Sequence, residues 1–151
     1  MLLSELVKGL NIIDSGGNLG IEIAGIAYDS RKVRKNFLFV CIDGTVTDGH
    51  RYIPEAAENG AKAVMVQKET DVPAGITTVR IEDTRYGLAC VSDAFFRHPS
   101  GKMELIGITG TKGKTTTTYM IKSILECAGE KVGLIGTISN KIGDEILYTE
   151  R

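Results

Sequence analysis

Little in this sequence pulls in one electrical direction. Its 18 basic and 19 acidic side chains leave a formal charge of −1, so the chain exerts no general attraction on a polyanion, and any phosphate recognition has to come from a local site. Nucleic acid and membrane surfaces are poor candidate partners on that account. Proline is scarce, three residues in 151, and together with 18 glycines this is far from the composition of a disordered chain. Cysteine is equally sparse. Cys41, Cys90 and Cys127 lie far apart in apolar surroundings, without the paired spacing of a zinc site or a disulfide framework, and read as buried, reduced thiols. Nowhere do about 18 apolar residues run together, and Met1-Leu2-Leu3-Ser4-Glu5 starts no basic leader with an apolar core. The expectation is a cytoplasmic protein.

What is present is an alternation of strand and helix patterns. Leu2, Leu3, Leu6, Val7 and Leu10 recur at helical spacing and stop near Gly9. Residues 21–27 alternate like a strand, and Phe37-Leu38-Phe39-Val40-Cys41-Ile42 is an unbroken apolar run, the mark of a strand covered on both faces. A helical pattern from Ile53 to Gly60 and a strand at Ala63-Val64-Met65-Val66 complete a βαβ unit. A strand at 77–81 leads to a helix over 84–97 with Asp83 as its N-cap and Pro99 just beyond it.

The breaker-rich segment His98-Pro99-Ser100-Gly101-Lys102 sets a domain boundary, giving one domain over 1–98 and the start of a second over 99–151. The second series runs from a strand at 105–108 through a loop and a helix to a strand at 132–135 and a hairpin over 137–148. One βαβ unit cannot cover its own sheet, so the chain reads as truncated. The fold class expected is α/β: a small Rossmann-like domain, then the first strand, phosphate loop, helix and strand of a P-loop ATPase-type domain.

Between that strand and helix stands Gly107-Ile108-Thr109-Gly110-Thr111-Lys112-Gly113-Lys114-Thr115. Glycines let successive backbone N–H groups converge on phosphate oxygens, and the helix that follows points its positive end at the same anion. In that geometry Lys114 reaches the β and γ phosphates, and the Thr115 hydroxyl is a ligand for Mg²⁺ bridging them. The usual pattern has a glycine where Ile108 stands, so the loop is a variant. Lys112 either adds a cation near the phosphates or is simply solvated.

This loop and its flanks, from Leu105 to Thr117, resemble the Mur ligases, whose phosphate loop reads Gly-Thr-x-Gly-Lys-Thr. So do Asp29-Ser30-Arg31-Lys32-Val33, Leu38-Phe39-Val40, Asp48-Gly49-His50-Arg51-Tyr52-Ile53 and Gly60-Ala61-Lys62-Ala63-Val64. Together these cover most of the chain. Arg97-His98-Pro99-Ser100 and the segment Gly133 to Ile138 look most like the branch that builds the UDP-N-acetylmuramoyl-tripeptide. The D-alanyl-D-alanine-adding branch is the alternative within the family, and a folate-polyglutamate-type ligase or a non-catalytic nucleotide-binding module lies further off.

The resemblance implies an ATP-dependent, Mg²⁺-assisted ligase of peptidoglycan synthesis, inactive as this piece alone. It would act on UDP-N-acetylmuramoyl-L-alanyl-D-glutamate and add diaminopimelate or lysine through a further domain. Carried over residue by residue, it puts Gly110, Thr111, Lys112, Gly113, Lys114, Thr115 and Thr116 at ATP, with Lys114 catalytic and Thr115 at the metal, and Ser30 at the UDP-linked substrate. The asparagine common in the family at position 112 is a lysine here. From residues alone, Asp29-Ser30-Arg31 reads first as an ordinary turn, a reading that the resemblance reverses, while Asp48 and His50 are equally a turn and a surface imidazole. Residues 45–47 occupy the stretch where related enzymes touch the nucleotide, but their identities match poorly and they are left out of the site.

Overall fold

The computed structural model describes residues 1–45, 47–143 and 145–147. Two compact units follow one another, Met1–Met103 and Glu104–Arg151. The first contains α1 (Leu3–Leu6), β1 (Ile12–Gly16), β2 (Gly25–Ala27), β3 (Phe37–Val40), α2 (Ile53–Glu58), β4 (Ala61–Val66), β5 (Thr77–Ile81) and α3 (Thr84–Phe95). Its sheet runs β1-β5-β4-β3-β2. β2 to β5 are mutually parallel, and β1 joins the edge antiparallel to β5.

The unbroken apolar run of β3 is buried on both faces, as its pattern demands. Leu38 and Val40 join Ala63, Met65, Val79 and Ile81 under α1 and α3, where Leu3, Leu6, Val7 and Val91 close the layer. Phe39 and Cys41 face the other way, with Val64 and Val66, against Ile53 and Ala56 of α2. Each fully buried Leu, Val or Phe contributes roughly 1.5–3 kcal/mol relative to exposure, so these two layers hold the unit. At the start of α3 the Asp83 carboxylate accepts from the backbone N–H groups of Arg85 and Tyr86 at 2.8 and 3.1 Å, satisfying orphan donors of the first turn. The helix ends at Phe95, two residues earlier than the sequence suggests, because Arg97 and His98 both turn left-handed (φ 61° and 53°). A 3-10 turn over Pro99–Lys102 follows, still within the first unit.

β1 has no counterpart among the sequence expectations, and its side chains are almost all exposed. The strand pattern over 21–27 shrinks to Gly25–Ala27, although Glu22 keeps an isolated bridge to Leu2.

The second unit holds α4 (Lys114–Cys127), β6 (Gly133–Leu134), β7 (Asn140–Ile142) and β8 (Glu145–Leu147). The three strands form an antiparallel sheet in chain order. The hairpin is where the sequence puts it, with Tyr148 outside the described residues. The strand expected over 105–108 is not formed: among the described residues none pairs with it, Leu105 and Ile106 are exposed, and β6 pairs with β7 instead. A strand needs a neighbour to take its backbone hydrogen bonds. The cysteines also depart from expectation. Cys41 is buried and Cys90 half-buried, but Cys127 is exposed, because no described residue buries that part of α4. Among the described residues no helix is long and apolar enough to cross a membrane.

Candidate functional site

The loop leading into α4 has the backbone that its glycines permit. Gly110 (φ 150°) and Gly113 (φ 78°) occupy conformations that a side chain would strain, and a Cβ on Gly113 would otherwise meet open space. Conformation, not crowding, therefore requires glycine at position 113. Gly113 is the N-cap of α4, and no side chain caps the helix among the described residues. The first intrahelical bond runs from Thr117 N–H to the Gly113 carbonyl at 2.9 Å. The N–H groups of Lys114, Thr115 and Thr116, which precede it in the first turn, have no carbonyl four residues back within the helix. With the helix dipole added, this end is built for an anion.

Lys114 is the first residue of α4, exposed, and its Nζ donates to the Gly110 carbonyl oxygen at 2.5 Å. That contact closes the loop into a ring of glycine turns, lysine and helix start. Thr115 is half-buried; Thr111, Lys112 and Thr116 are exposed. The seven residues Gly110 to Thr116 are thus brought together in one loop and first turn. The Thr117 hydroxyl donates back to Gly113 at 3.0 Å and the Thr118 hydroxyl to Thr115 at 2.7 Å, so neither is free to serve as a donor at the loop.

Ser30 lies in the first unit, just past the carboxyl end of β2, in a 3-10 turn over Ser30–Lys32. The turn reading of this segment is correct as local structure. The Asp29 carboxylate accepts from the backbone N–H of Arg31 at 3.1 Å and from its guanidinium at 2.9 and 2.7 Å. That hydrogen bonding holds the Asp29 carboxyl down at about 2. Ser30 itself is only 7% exposed. Its hydroxyl donates to Glu55 Oε2 of α2 at 2.7 Å, and its carbonyl accepts from Asn59 Nδ2 at 3.0 Å. A carboxylate can only accept, so the Ser30 proton is committed and the oxygen lone pairs are what it can still offer.

Asp48 and His50 stand in a denser set of hydrogen bonds than Ser30 does. Of the two readings open for His50, the structure shows a buried imidazole, 6% exposed. Its Nε2 accepts from the Gln67 backbone N–H at 3.1 Å, so the ring proton sits on Nδ1 and is donated to Asp48 Oδ1 at 2.6 Å. Asp48 also accepts from the His50 backbone N–H at 3.0 Å and from Lys68 Nζ at 2.5 Å. Lys68 foremost, then these bonds to His50, push the Asp48 carboxyl well below the usual carboxylate range, and Asp48 in turn raises Lys68. Gly49, between Asp48 and His50, passes so close to the segment that follows β3 that a Cβ would stand 2.8 Å from the Ile42 nitrogen and 2.9 Å from its oxygen, both backbone atoms. An Asp with a His two residues on is the signal that could have found this cluster, since one carboxylate then reaches both the backbone and the ring of the same residue.

A protein-family description, "Mur ligase family, catalytic domain", matches residues 22–97, and a second, "Mur ligase middle domain", matches residues 108–150. The chain is 48% identical over its whole length to the UDP-N-acetylmuramoyl-L-alanyl-D-glutamate–2,6-diaminopimelate ligase of Alkaliphilus metalliredigens. It is 46% identical over 99% of its length to the ligase of the same name from Caldanaerobacter subterraneus subsp. tengcongensis. In both comparisons it spans 31% of the relative's length. Among solved structures, MurF from Acinetobacter baumannii matches 83% of this chain and 27% of its own with a TM-score of 0.66 at 26% identity. MurF ligase from Thermotoga maritima, in complex with ADP, matches 70% of this chain and 23% of its own (TM-score 0.54, 29% identity). A UDP-N-acetylmuramoyl-L-alanyl-D-glutamate–2,6-diaminopimelate ligase structure matches 97% of this chain and 29% of its own, with a TM-score of 0.71 at 21% identity, a likeness of fold.

Proposed function

This chain belongs to the Mur ligase family, and on that premise we propose that it is the N-terminal part of a MurE-type, ATP-dependent ligase of peptidoglycan synthesis. The enzyme would join diaminopimelate to UDP-N-acetylmuramoyl-L-alanyl-D-glutamate in the cytoplasm, where ATP and nucleotide-linked precursors are found. The observation that carries the reading is the uncapped start of α4, with Gly110 and Gly113 turning the loop and Lys114 at its first position. The choice of the diaminopimelate-adding type over the D-alanyl-D-alanine-adding one rests on relatives at 46 to 48% identity.

In this reading the chain divides into a substrate unit and the beginning of an ATP unit. Gly110, Thr111, Lys112, Gly113, Lys114, Thr115 and Thr116 hold the triphosphate through backbone N–H groups and the Lys114 ammonium. The terminal phosphoryl group passes to an oxygen of the D-glutamyl carboxylate and ADP leaves; the amine nitrogen of diaminopimelate then displaces phosphate to form the amide. A carboxylate is a poor electrophile, and the acyl phosphate removes that obstacle. Lys114 swings from the Gly110 carbonyl to the β and γ oxygens and offsets the charge that moves onto the leaving diphosphate.

Among the described residues no group of three His, Cys, Asp or Glu side chains could hold a metal ion. The donor set at hand, one threonine hydroxyl beside phosphate oxygens, suits Mg²⁺, which keeps much of its water and leans on substrate phosphates. Thr115 is the residue that would hold it, and the ion would supply positive charge to offset that of the phosphate oxygens during transfer. Ser30 would meet the uridine end of the other substrate. With its own proton given to Glu55, it presents lone pairs, and the imide N–H of a uracil ring is a matching donor.

ATP titrated into the isotopically labelled chain should shift the amide resonances of Gly110 to Thr116. Saturating ATP that leaves all seven unmoved would refute the loop assignment. Rejoined to the remaining domains, the protein should release phosphate only when both the muramoyl dipeptide and diaminopimelate are supplied.

A further inference from the structure

Four parallel strands end on one edge of the first unit's sheet, and the carboxyl edge of such a sheet is where ligands bind. Ser30 follows β2 there, the segment carrying Asp43, Asp48 and His50 follows β3, Gln67 and Lys68 follow β4, and Thr84 and Arg85 follow β5. The segment after β3 doubles back on itself: Asp43 and Asp48 form an antiparallel bridge, Gly44 N–H reaches the Thr47 carbonyl at 3.0 Å, and Gly49 N–H the Ile42 carbonyl at 2.9 Å. Its stem leaves the sheet beside Ser30, since β2 and β3 are neighbours and the turns at Ser30 and Gly49 both pack on α2.

Side chains from the other two strand ends tie this stem down. His50 links Asp48 to the backbone of Gln67. The Gln67 side-chain oxygen accepts from the Thr84 N–H at 3.3 Å and its hydroxyl at 3.1 Å, and Thr84 is fully buried. Lys68 grips Asp48, and Arg85 Nη2 donates to the Asp43 carbonyl at 3.2 Å. Core packing does not call for a polar chain across three strand ends. A hydrophobic residue at position 50 would fill the same volume, but it would leave the Gln67 N–H unpaired and Asp48 with one partner fewer.

We propose that Asp48, His50, Gln67 and Thr84 form a positioning network that fixes the stem Asp43–Gly44/Thr47–Asp48 as a preformed wall of the uridine diphosphate site, with His50 as its neutral, Nδ1-protonated keystone. None of the four need touch the ligand. They hold the stem's backbone polar groups beside Ser30, so that binding does not have to order them. The inference rests on the uridine-end role proposed for Ser30.

The test uses uridine diphosphate as the probe and this chain as it stands. The unaltered chain should bind it with amide shifts at Ser30 and at Gly44 and Thr47, and a nitrogen-resolved imidazole spectrum should find the ring proton of His50 on Nδ1, since Nε2 accepts from the Gln67 N–H. His50→Ala should weaken binding about ten-fold or more while the Ser30–Glu55 pair keeps its resonances. His50→Gln can donate and accept like the neutral ring, and should stay within about three-fold of the unaltered chain.

If H50A does not fold, Gln67→Ala carries the comparison, because its side chain is exposed and its loss cuts the Thr84 tie; a several-fold loss of affinity is expected. An unaltered chain that ignores uridine diphosphate overturns the uridine-end role itself. Binding that is equal in the unaltered chain and in folded H50A or Q67A overturns the network alone. So does a proton found on Nε2.

Discussion

Lys114 holds its ammonium 2.5 Å from the Gly110 carbonyl oxygen, and a bound triphosphate has to replace that contact. A charge-assisted bond to phosphate outweighs a bond to a neutral carbonyl, so the swing is downhill. Because the lysine is assigned to the β and γ oxygens, Lys114→Ala should cost triphosphate binding about ten- to a hundred-fold and diphosphate binding clearly less. Calorimetry with both nucleotides decides it, and equal small losses would remove the assigned role. Thiol chemistry reads the packing at the same scale. Cys41 has no exposed surface, and burial, aided by the Asp48 charge, pushes its thiol up to about 12. Only the thiolate is nucleophilic. Alkylation followed by peptide mapping should therefore label exposed Cys127 quickly and Cys41 only after unfolding; labelling both at one rate would mean that β3 is not covered on the α2 side.

Helix α3 shows how an element can be held by what a residue lacks. A Cβ on Gly87 would stand 2.2 Å from Ile81 Cδ1 and 2.7 Å from Met65 Sδ, and both of those side chains lie in the core. Gly87→Ala gains about 1 kcal/mol of helix propensity but forces Ile81 or Met65, both packed in the core, to shift, and overpacking of that kind costs about 1–3 kcal/mol. Thermal denaturation should show a net loss of stability; a higher Tm would mean that the helix rides further from the sheet. Where sequence made elements legible, it was through this kind of strong local constraint. The apolar run of β3 announced a strand buried twice over, and Asp83 announced the start of α3. β1 escaped because Asp14, Ser15 and Gly16 carry no apolar alternation; the open edge of β5 makes that strand, and no local signal reports it. The glycine-turned loop at the start of α4 was legible from spacing alone, since glycine, lysine and helix start are adjacent in the chain. The His50 network was not, because its partners at Gln67 and Thr84 stand 17 residues apart and meet only when β4 and β5 pair.

At the scale of the whole molecule the two units differ in what covers their apolar surface. Met1–Met103 buries two layers of side chains against its sheet. In the second unit Leu134 alone is a buried hydrophobic among the described residues, whereas Leu105, Ile106, Met120, Ile124, Ile135 and Ile138 are exposed. Packing of an amphipathic face, more than propensity, stabilises most helices in proteins, so α4 should open far more readily than the sheet it follows in sequence. Hydrogen exchange should find the amides of β3, β4 and β5 protected to the limit set by global unfolding, and those of α4 exchanging by local opening at much lower free energy. Limited proteolysis should then leave a resistant product ending near Met103. That product should keep the amide shifts that uridine diphosphate induces near Ser30 and lose every response to ATP. The uncut chain should turn over no ATP in a manner dependent on the muramoyl dipeptide and diaminopimelate, because the groups proposed for ATP and its metal stop at Lys114, the Thr115 hydroxyl and the backbone of a single loop. Protection of α4 equal to that of β4 would show that its exposed face is covered after all, and dipeptide-dependent phosphate release would show that these 151 residues hold a complete active site.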